Sequence, residues 1–203
     1  MVESFITNIS IRGAFNQHIA DLDAHTYNEW QTLRIGQYNL LHSSIDPPLV
    51  GTPTANTLVT YPIIIARDIT LDRIAIEITT AVAGNNVRIG LYNNSTNCYP
   101  STLLLDSGNI DCTAIGIKEV VISQPLLKGI YWKTYLSQSG SIACRRISIQ
   151  PSIIGIDNTN FSLLGGGFYH AQAFGALPAT FPTAAPSLFN LFPVIPLRIL
   201  TLD

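Results

Sequence analysis

The chain has 203 residues, with 11 Lys and Arg against 13 Asp and Glu, which gives a formal net charge of −2. This balance argues against a nucleic-acid partner, because such partners are bound by basic surfaces. No apolar run reaches the roughly 18–20 residues that cross a bilayer, and the first residues lack the basic and apolar regions of a secretion signal. We therefore expect neither a membrane partner nor secretion.

Charged residues make up only 12% of the chain, and the mean hydropathy is +0.29. A typical soluble domain has about 25% charged residues. Large permanent interfaces are poor in charge, so the composition favours an oligomer of this chain or an assembly with other subunits. The alternative is a single large sandwich whose outer faces are polar but uncharged.

Residues 1–42 are predicted to form an N-terminal arm with short helices that anchors the protein or joins it to other copies. A first helix is indicated after Ala14 by apolar residues three to four positions apart. A second follows Thr26, which has Glu29 three positions later and so matches a capping box. Neither helix is long enough to be stable alone. The apolar residues expected to contact another subunit or a particle are Phe15, Ile19, Leu22, Trp30 and Leu33.

Residues 43–57 are predicted to be an extended, irregular linker, because they contain Asp46-Pro47-Pro48 and Gly51-Thr52-Pro53. Proline fixes φ and has no N–H to donate to a sheet. The linker would separate the arm from the region that follows.

Residues 58–150 contain a series of short apolar stretches separated by turn residues. In the clearest stretch, three isoleucines at positions 74, 76 and 78 alternate with Arg73 and Glu77, which is the period of a half-buried antiparallel strand. Pro62 indicates an edge or a bulge in the first strand. Strands at this spacing predict an all-β sandwich or barrel. The predicted strands are Val59–Ala66, Ile69–Thr79, Val87–Tyr92, Lys118–Ser123, Ile130–Leu136, Ser141–Ile149 and a final one at Val194–Leu202.

Residues 151–203 are rich in proline and aromatic residues and are predicted to complete the sandwich or an interface. Apolar rings on a chain with few regular hydrogen bonds must pack onto an existing surface. Gly165-Gly166-Gly167 is predicted to be a flexible turn, since it lacks the strand–helix context of a phosphate-binding loop. The aromatic residues expected at an oligomer or particle interface are Phe174, Phe181, Phe189 and Phe192.

Catalytic motifs are missing from the sequence, which has no G-x-S-x-G elbow, phosphate-binding loop or H-E-x-x-H pair. Asp21, Asp23 and His25 could supply metal ligands, but solvation of the break between two helices explains them better. His18 and His25 stay metal candidates, since one histidine from each chain of a trimer could meet on the axis. We expect no catalytic residues, no cofactor and no resident metal.

The three cysteines, Cys98, Cys112 and Cys144, are odd in number and have no C-x-x-C spacing. That pattern does not fit a disulfide framework or a zinc site. It favours buried or incidental thiols in a reducing compartment.

Aromatic residues of the sandwich are a candidate platform for a sugar ring. Trp132 shares its alternation with Ile130 and Leu136, so it is predicted in the core. Lys133 and the tyrosines beside it then fall on the opposite face, where core or subunit contact is favoured over ligand binding. The tyrosines of this predicted ligand or interface face are Tyr92, Tyr99, Tyr131 and Tyr135.

Three segments between residues 69 and 132 resemble a known family. They read ITLDRIAIEITTAVAGNNVRIGLYNN, YPSTLLLDSGNID and IGIKEVVISQPLLKGIYW, and resemble a jelly-roll-like β-sandwich domain of tailed-bacteriophage virion proteins. The segment from Asp23 to Tyr38 also looks like the entry into such domains in fibre and head proteins. The resemblance implies a homotrimeric structural component of the phage particle, and it carries over no catalytic residue.

The sequence therefore predicts an all-β protein, a jelly-roll-like antiparallel β-sandwich with an N-terminal arm containing short helices. The expected function is that of a non-enzymatic virion protein, a trimeric capsid decoration (cement) protein made in the host cytoplasm. Its partners would be other copies of itself and the major capsid protein or other virion proteins. The alternative is a tail-fibre or receptor-binding protein that recognises host glycans. A glycan-active enzyme would need paired carboxylates, and the nearest pair, Asp106 and Asp111, is predicted at turns.

Overall fold

The computed structural model describes residues 33–40, 48–148, 166–182, 187–189 and 191–202. These residues form fourteen strands and, within those ranges, no helix. The helices predicted for the N-terminal arm lie outside the described residues. The strands are β1 (Tyr38–Asn39), β2 (Leu49–Gly51), β3 (Thr57–Ile65), β4 (Ile69–Thr80), β5 (Asn86–Asn94), β6 (Pro100–Asp106), β7 (Ile110–Asp111), β8 (Gly116–Leu126), β9 (Gly129–Ser137), β10 (Ala143–Ser148), β11 (Gly167–Ala171), β12 (Ser187–Phe189), β13 (Leu191–Pro193) and β14 (Leu197–Leu202).

The strands form two seven-stranded sheets, and the pairs between named strands are antiparallel. Sheet A has the order β1-β14-β4-β10-β13, with β2 beside β10 and β8 beside β4. Sheet B has the order β12-β11-β3-β9-β5-β6, with β7 beside β5. The prediction of an all-β sandwich of antiparallel strands is confirmed.

The two sheets pack against each other through side chains that alternate along the central strands. The three isoleucines of β4 at positions 74, 76 and 78 are buried, as their period of two predicted. Tyr61 of β3 reaches across to sheet A, where its ring lies 5.0 Å from that of Phe192. Its hydroxyl donates to the carbonyl of Pro193 at 2.9 Å. These contacts fix the interior between the sheets.

A second core covers the opposite, outer face of sheet B. Residues 172–182, which we name the C-terminal strap, lie along this face and are tied to it by backbone hydrogen bonds. The Leu103 amide donates to the Ala179 carbonyl at 2.9 Å, and the Phe181 amide donates to the Ser101 carbonyl at 2.8 Å. The buried cluster beneath the strap consists of Leu58, Tyr92, Trp132, Leu136, Phe168, Leu177 and Phe181.

Two local predictions are corrected. Gly167 is not part of a flexible turn: it begins β11 and is buried, and a Cβ there would lie 2.1 Å from the Thr60 carbonyl oxygen. Leu49–Gly51, inside the predicted irregular linker, forms β2 and pairs with β10. In both places a long-range strand partner overrides the local preference of glycine and proline for irregular structure.

Pro62 was predicted to mark an edge or a bulge, but β3 is an interior strand between β11 and β9, and its register against β9 does not shift at Pro62. Among the described strands, the β11 ladder ends at Thr60, so Pro62 lies just beyond it.

Candidate functional site

The sequence-predicted residues of the N-terminal arm fall mostly outside the described chain. This holds for the metal candidates His18, Asp21, Asp23 and His25 and for the predicted contact residues Phe15, Ile19, Leu22 and Trp30. Leu33 is described and is half-buried. Within the described residues, no three His, Cys, Asp or Glu side chains converge on a point where a metal ion could bind.

The predicted aromatic interface is largely used inside the molecule. Phe181 and Phe192 are buried at 2% and 0% exposure, so neither side chain can face another subunit. Phe174 is half-buried and packs against the cluster beneath the strap. Phe189 lies in β12, and its side chain is outside what the structure describes. Phe174 and Phe181 cover the outer face of sheet B, which would otherwise expose apolar side chains to solvent.

The predicted tyrosine face is also internal. Tyr92 and Tyr135 are fully buried, and burial raises the pKa of both phenols. Tyr99 is half-buried and stacks on Phe168 with ring centroids 4.9 Å apart. Tyr131 is half-buried, and desolvation raises its pKa as well. Tyr92 and Tyr135 therefore cannot contact a ligand or another subunit.

Lys133 lies on the face of β9 opposite Trp132, where core or subunit contact was predicted over ligand binding, and the structure places it in the core. Its side chain is fully buried between the sheets. The ammonium nitrogen Nζ donates to the Leu40 carbonyl at 2.5 Å and lies 5.8 Å from the centre of the Tyr61 ring. Burial holds the pKa of this amine well below its usual range. Lys133 therefore tethers Leu40 and is closed to a ligand.

Trp132 is buried, as predicted, but it faces the strap and not the space between the sheets. Its indole N–H donates to the Asn94 side-chain oxygen at 2.9 Å. Both faces of β9 are covered, one by sheet A and the other by the strap. From Trp132 to Ser137 the strand is therefore buried on both faces, whereas Gly129 to Tyr131 are partly exposed.

The three cysteines are free thiols, as the sequence indicated. Cys112 and Cys144 are fully buried. Desolvation raises the pKa of the Cys112 thiol to about 11 and that of Cys144 to about 12. Both thiols are protonated at neutral pH and therefore weak nucleophiles.

The outer face of sheet A, which we name the outer A face, is the surface that the structure leaves apolar and open. Exposed apolar side chains stand on four of its strands: Tyr38 in β1, Val50 in β2, Ile117 and Val121 in β8 and Leu200 in β14. A depression of about 230 Å³ lies between them, with a lining that includes Tyr38, Ala75, Ile117, Val194 and Pro196. Exposed apolar side chains grouped on one face are a common feature of interaction surfaces.

Two ion pairs lie on the outer A face. Arg145 contacts Glu77 at 3.0 Å, and Arg198 contacts Asp72 at 2.5 Å. The hydrogen bond from Arg198 is the main reason why the pKa of Asp72 is lowered. Arg73 also contacts Asp72, at 3.6 Å, and Glu119 accepts a hydrogen bond from Tyr38, so the charges of this face are engaged within the chain but not all of them are neutralised in pairs.

Tyr38 closes one end of the depression by donating its hydroxyl to the Glu119 carboxylate. Burial, followed by this hydrogen bond, raises the pKa of Tyr38 to about 12. The phenol is therefore neutral at physiological pH, and the ring remains available as an apolar wall.

A second depression, of about 450 Å³, opens where the edges of the two sheets meet. Tyr169 of β11, which is 39% exposed, lies on its wall together with Pro53, Thr57 and Pro193. An aromatic ring beside hydroxyl groups can bind a small polar ligand such as a sugar.

Sequence reasoning found β8 as a strand but missed its exposed residues. Ile117, Glu119, Val121 and Ser123 share the outward side, and this mixture of apolar and polar residues gives no clear inward or outward signal. The available clue to these exposed residues was that both sides of β8 carry isoleucine or valine.

No family model matches this chain, and comparison with curated proteins yields no match either. Within the described residues, no helix is long and apolar enough to cross a membrane.

Proposed function

We propose that this chain is a non-enzymatic structural protein of a bacteriophage particle, a capsid decoration protein that binds the outside of the shell. The observation that carries the proposal is the outer A face, where exposed apolar side chains such as Ile117 and Leu200 stand between ion pairs closed within the chain. Permanent protein contacts bury surfaces of this composition.

Two further observations support the proposal. The architecture of two antiparallel sheets agrees with the jelly-roll-like domain that the segments between Asp72 and Trp132 resemble. Among the described residues, the strap leaves the outer face of sheet B without exposed large apolar side chains other than those at its margins. Sheet A would then face the shell and sheet B the solvent, with trimers of the chain as the unit expected from the resemblance.

The protein would stabilise the shell by burying apolar surface against it. Each Å² of apolar surface that the outer A face buries on shell subunits contributes about 25 cal/mol. Association costs reduce this gain for a single contact, but several copies in one assembly meet those costs together. The added contacts would hold neighbouring shell subunits against pressure from within.

Binding to particles tests the proposal. Purified particles that lack this protein are mixed with the full chain, sedimented, and the bound copies are counted against the major shell protein. We expect saturable binding in a fixed, high ratio to the shell protein, and loss of binding for Leu200→Asp on the outer A face. Asn97→Asp, in an exposed loop of sheet B, is the matched control and should bind normally. Equal binding of Leu200→Asp, or only a few copies per particle, would overturn the proposal.

A tail-fibre protein that binds host glycans is the second candidate, and the depression beside Tyr169 favours it. Its walls combine an exposed ring with two prolines and threonine hydroxyls, which suits stacking of a sugar ring. If this function holds, the chain binds host cells, and Tyr169→Ala abolishes that binding while Tyr38→Ala on the opposite sheet does not. Absence of cell binding by the unaltered chain would exclude it.

A further inference from the structure

The edge of sheet A at β8 is unusually open for a strand of its length. The strand runs eleven residues from Gly116 to Leu126, and β4 is its strand neighbour in the described part of the chain. The described residues place no strand on the other side of β8, which therefore presents backbone N–H and C=O groups there. Such an edge is a template for another strand, although the register of β8 against β4 shifts between Val121 and Gln124 and Pro125 has no N–H to donate.

The most exposed large apolar side chains of the described residues lie along this edge. Ile115 and Leu127, which flank the strand, are each 67% exposed, and Ile117 and Val121 within it are 69% and 71% exposed. Isolated exposed apolar residues are common on protein surfaces, but a group along one edge indicates an interface. The backbone edge and the apolar side chains therefore point to the same occupant, another strand.

The sequence around Val121 is nearly symmetric in character. Reading outward from Val121 in both directions, apolar residues meet apolar ones and polar residues meet polar ones, except that Gly116 meets Leu126. The matched positions are Val120 with Ile122, Glu119 with Ser123, Lys118 with Gln124, Ile117 with Pro125 and Ile115 with Leu127. A strand of this kind is complementary to a second copy of itself running in the opposite direction, which is the requirement of a two-fold interface.

We propose that β8 pairs with β8 of a second copy of this chain, antiparallel and across a two-fold axis through Val121, so that the two A sheets become one continuous sheet. The inference stands on the geometry and sequence of β8 and does not require the proposed role in a particle. It names the contact between two copies, which is a different contact from the one that the outer A face would make with shell subunits.

Charge excludes two of the alternative registers. With the axis at Val121, Glu119 of one copy faces Ser123 of the other, and Lys118 faces Gln124. An axis at Glu119 would place two carboxylates opposite each other, and one at Lys118 would oppose two ammonium groups. Like charges in directly opposed positions destabilise a strand pair.

The mass of the full chain in solution tests the pairing. We expect light scattering behind size-exclusion chromatography to give an even multiple of the chain mass of 22.1 kDa. If the chain also forms trimers, β8 joins two of them and the multiple is six. Val121→Lys should halve the mass in either case, since it places two ammonium groups on the axis. Val50→Lys is the matched control, because Val50 is an exposed valine of another strand at 55% exposure.

Crosslinking tests the register. Directly opposed residues of an antiparallel pair have Cα atoms about 4.5–5.5 Å apart, a distance that a disulfide can span. Mild oxidation with a copper–phenanthroline complex should therefore link two copies of Val121→Cys and leave Val50→Cys and the unaltered chain unlinked.

The possible results are distinct. A chain with an odd multiple of the mass, or a mass unchanged by Val121→Lys, overturns the proposal. Loss of association in Val121→Lys without crosslinking of Val121→Cys overturns it as well, and assigns the edge to a different segment of a neighbouring copy. Circular dichroism of each variant confirms that the fold is kept. Particle binding by Leu200→Asp is measured separately, so failure of one proposal is distinguishable from failure of the other.

Discussion

The outer face of sheet B is covered by residues 172–182, whereas the outer face of sheet A is left open over much of its width. On sheet B, Leu177 and Phe181 of the strap complete a buried cluster. On sheet A, Val121 and Leu200 remain 71% and 48% exposed. The difference shows that the chain uses its C-terminal aromatic residues to complete its own core on one side, and leaves apolar side chains exposed on the other.

The largest effect is expected from removing a ring beneath the strap. Phe181→Ala empties a site that is 2% exposed and should lower the free energy of unfolding by about 3–5 kcal/mol. Leu200→Ala, on the open face, should change it by less than about 0.5 kcal/mol. Urea denaturation of both variants measures the contrast, and equal effects would show that the two faces do not differ as described.

A smaller effect should follow from a methyl group between the strap and sheet B. Gly90→Ala would place a Cβ 2.3 Å from the Leu105 carbonyl oxygen and 2.5 Å from Leu177 Cδ1. Relief requires movement of the strand or the strap, at a cost of about 1–3 kcal/mol in unfolding free energy. In Gly129→Ala the nearest atom lies 3.8 Å away, so thermal denaturation should find that control close to the unaltered chain.

The polar anchor of the strap should contribute about 1 kcal/mol. Asp106 accepts a hydrogen bond from the Leu177 amide at 2.9 Å and pairs with Arg88 at 2.6 Å. Asp106→Asn weakens both contacts. Hydrogen exchange should speed up at the Leu177 amide and stay unchanged at the Ile76 amide in the centre of sheet A; a uniform increase would mean global destabilisation and no local anchoring.

The smallest effect should come from the ion pair of Arg198 and Asp72 on the open face. The folded-state pKa of Asp72 is lowered, chiefly by the hydrogen bond from Arg198, so the pair stabilises the fold above the unfolded-state value of about 4. This stability is lost as the pH falls through the folded-state pKa. Arg198→Gln should therefore be slightly less stable at pH 7 and equal to the unaltered chain in strong acid. A difference that persists in acid would assign the effect to packing.

The sequence was a good guide to the strands and a poor one to their faces. Period-two alternation located Ile74 and its neighbours correctly, because one side of β4 is buried and the other meets water. In β9 the strap buries the side of Trp132, and sheet A buries the side of Tyr135. When both sides of a strand are buried, the alternation of residue types does not show which side faces the other sheet. The strap has no period of its own, so nothing local in the sequence predicted where Phe181 would lie.

The exposed edge at β8 was equally hidden from sequence reasoning. Whether Ile117 is buried depends on whether another strand follows β8 in the sheet, and strand order is set by contacts far apart in the chain. The sequence carries the symmetry about Val121, but that symmetry has meaning only once β8 is known to be an edge.

The position of β14 in sheet A has a consequence for how the protein is made. Leu197 pairs with Ile74, so strands separated by more than half of the chain are neighbours, and Tyr169 pairs with Val59 in the same manner in sheet B. Topologies dominated by such distant pairings fold slowly. During synthesis, β4 and β3 leave the ribosome long before β14 and β11 exist, and their apolar surfaces must wait for these partners. Sheet A is thus completed only after β14 has emerged, and until then the growing chain exposes apolar surface and unpaired strand edges, which favour aggregation.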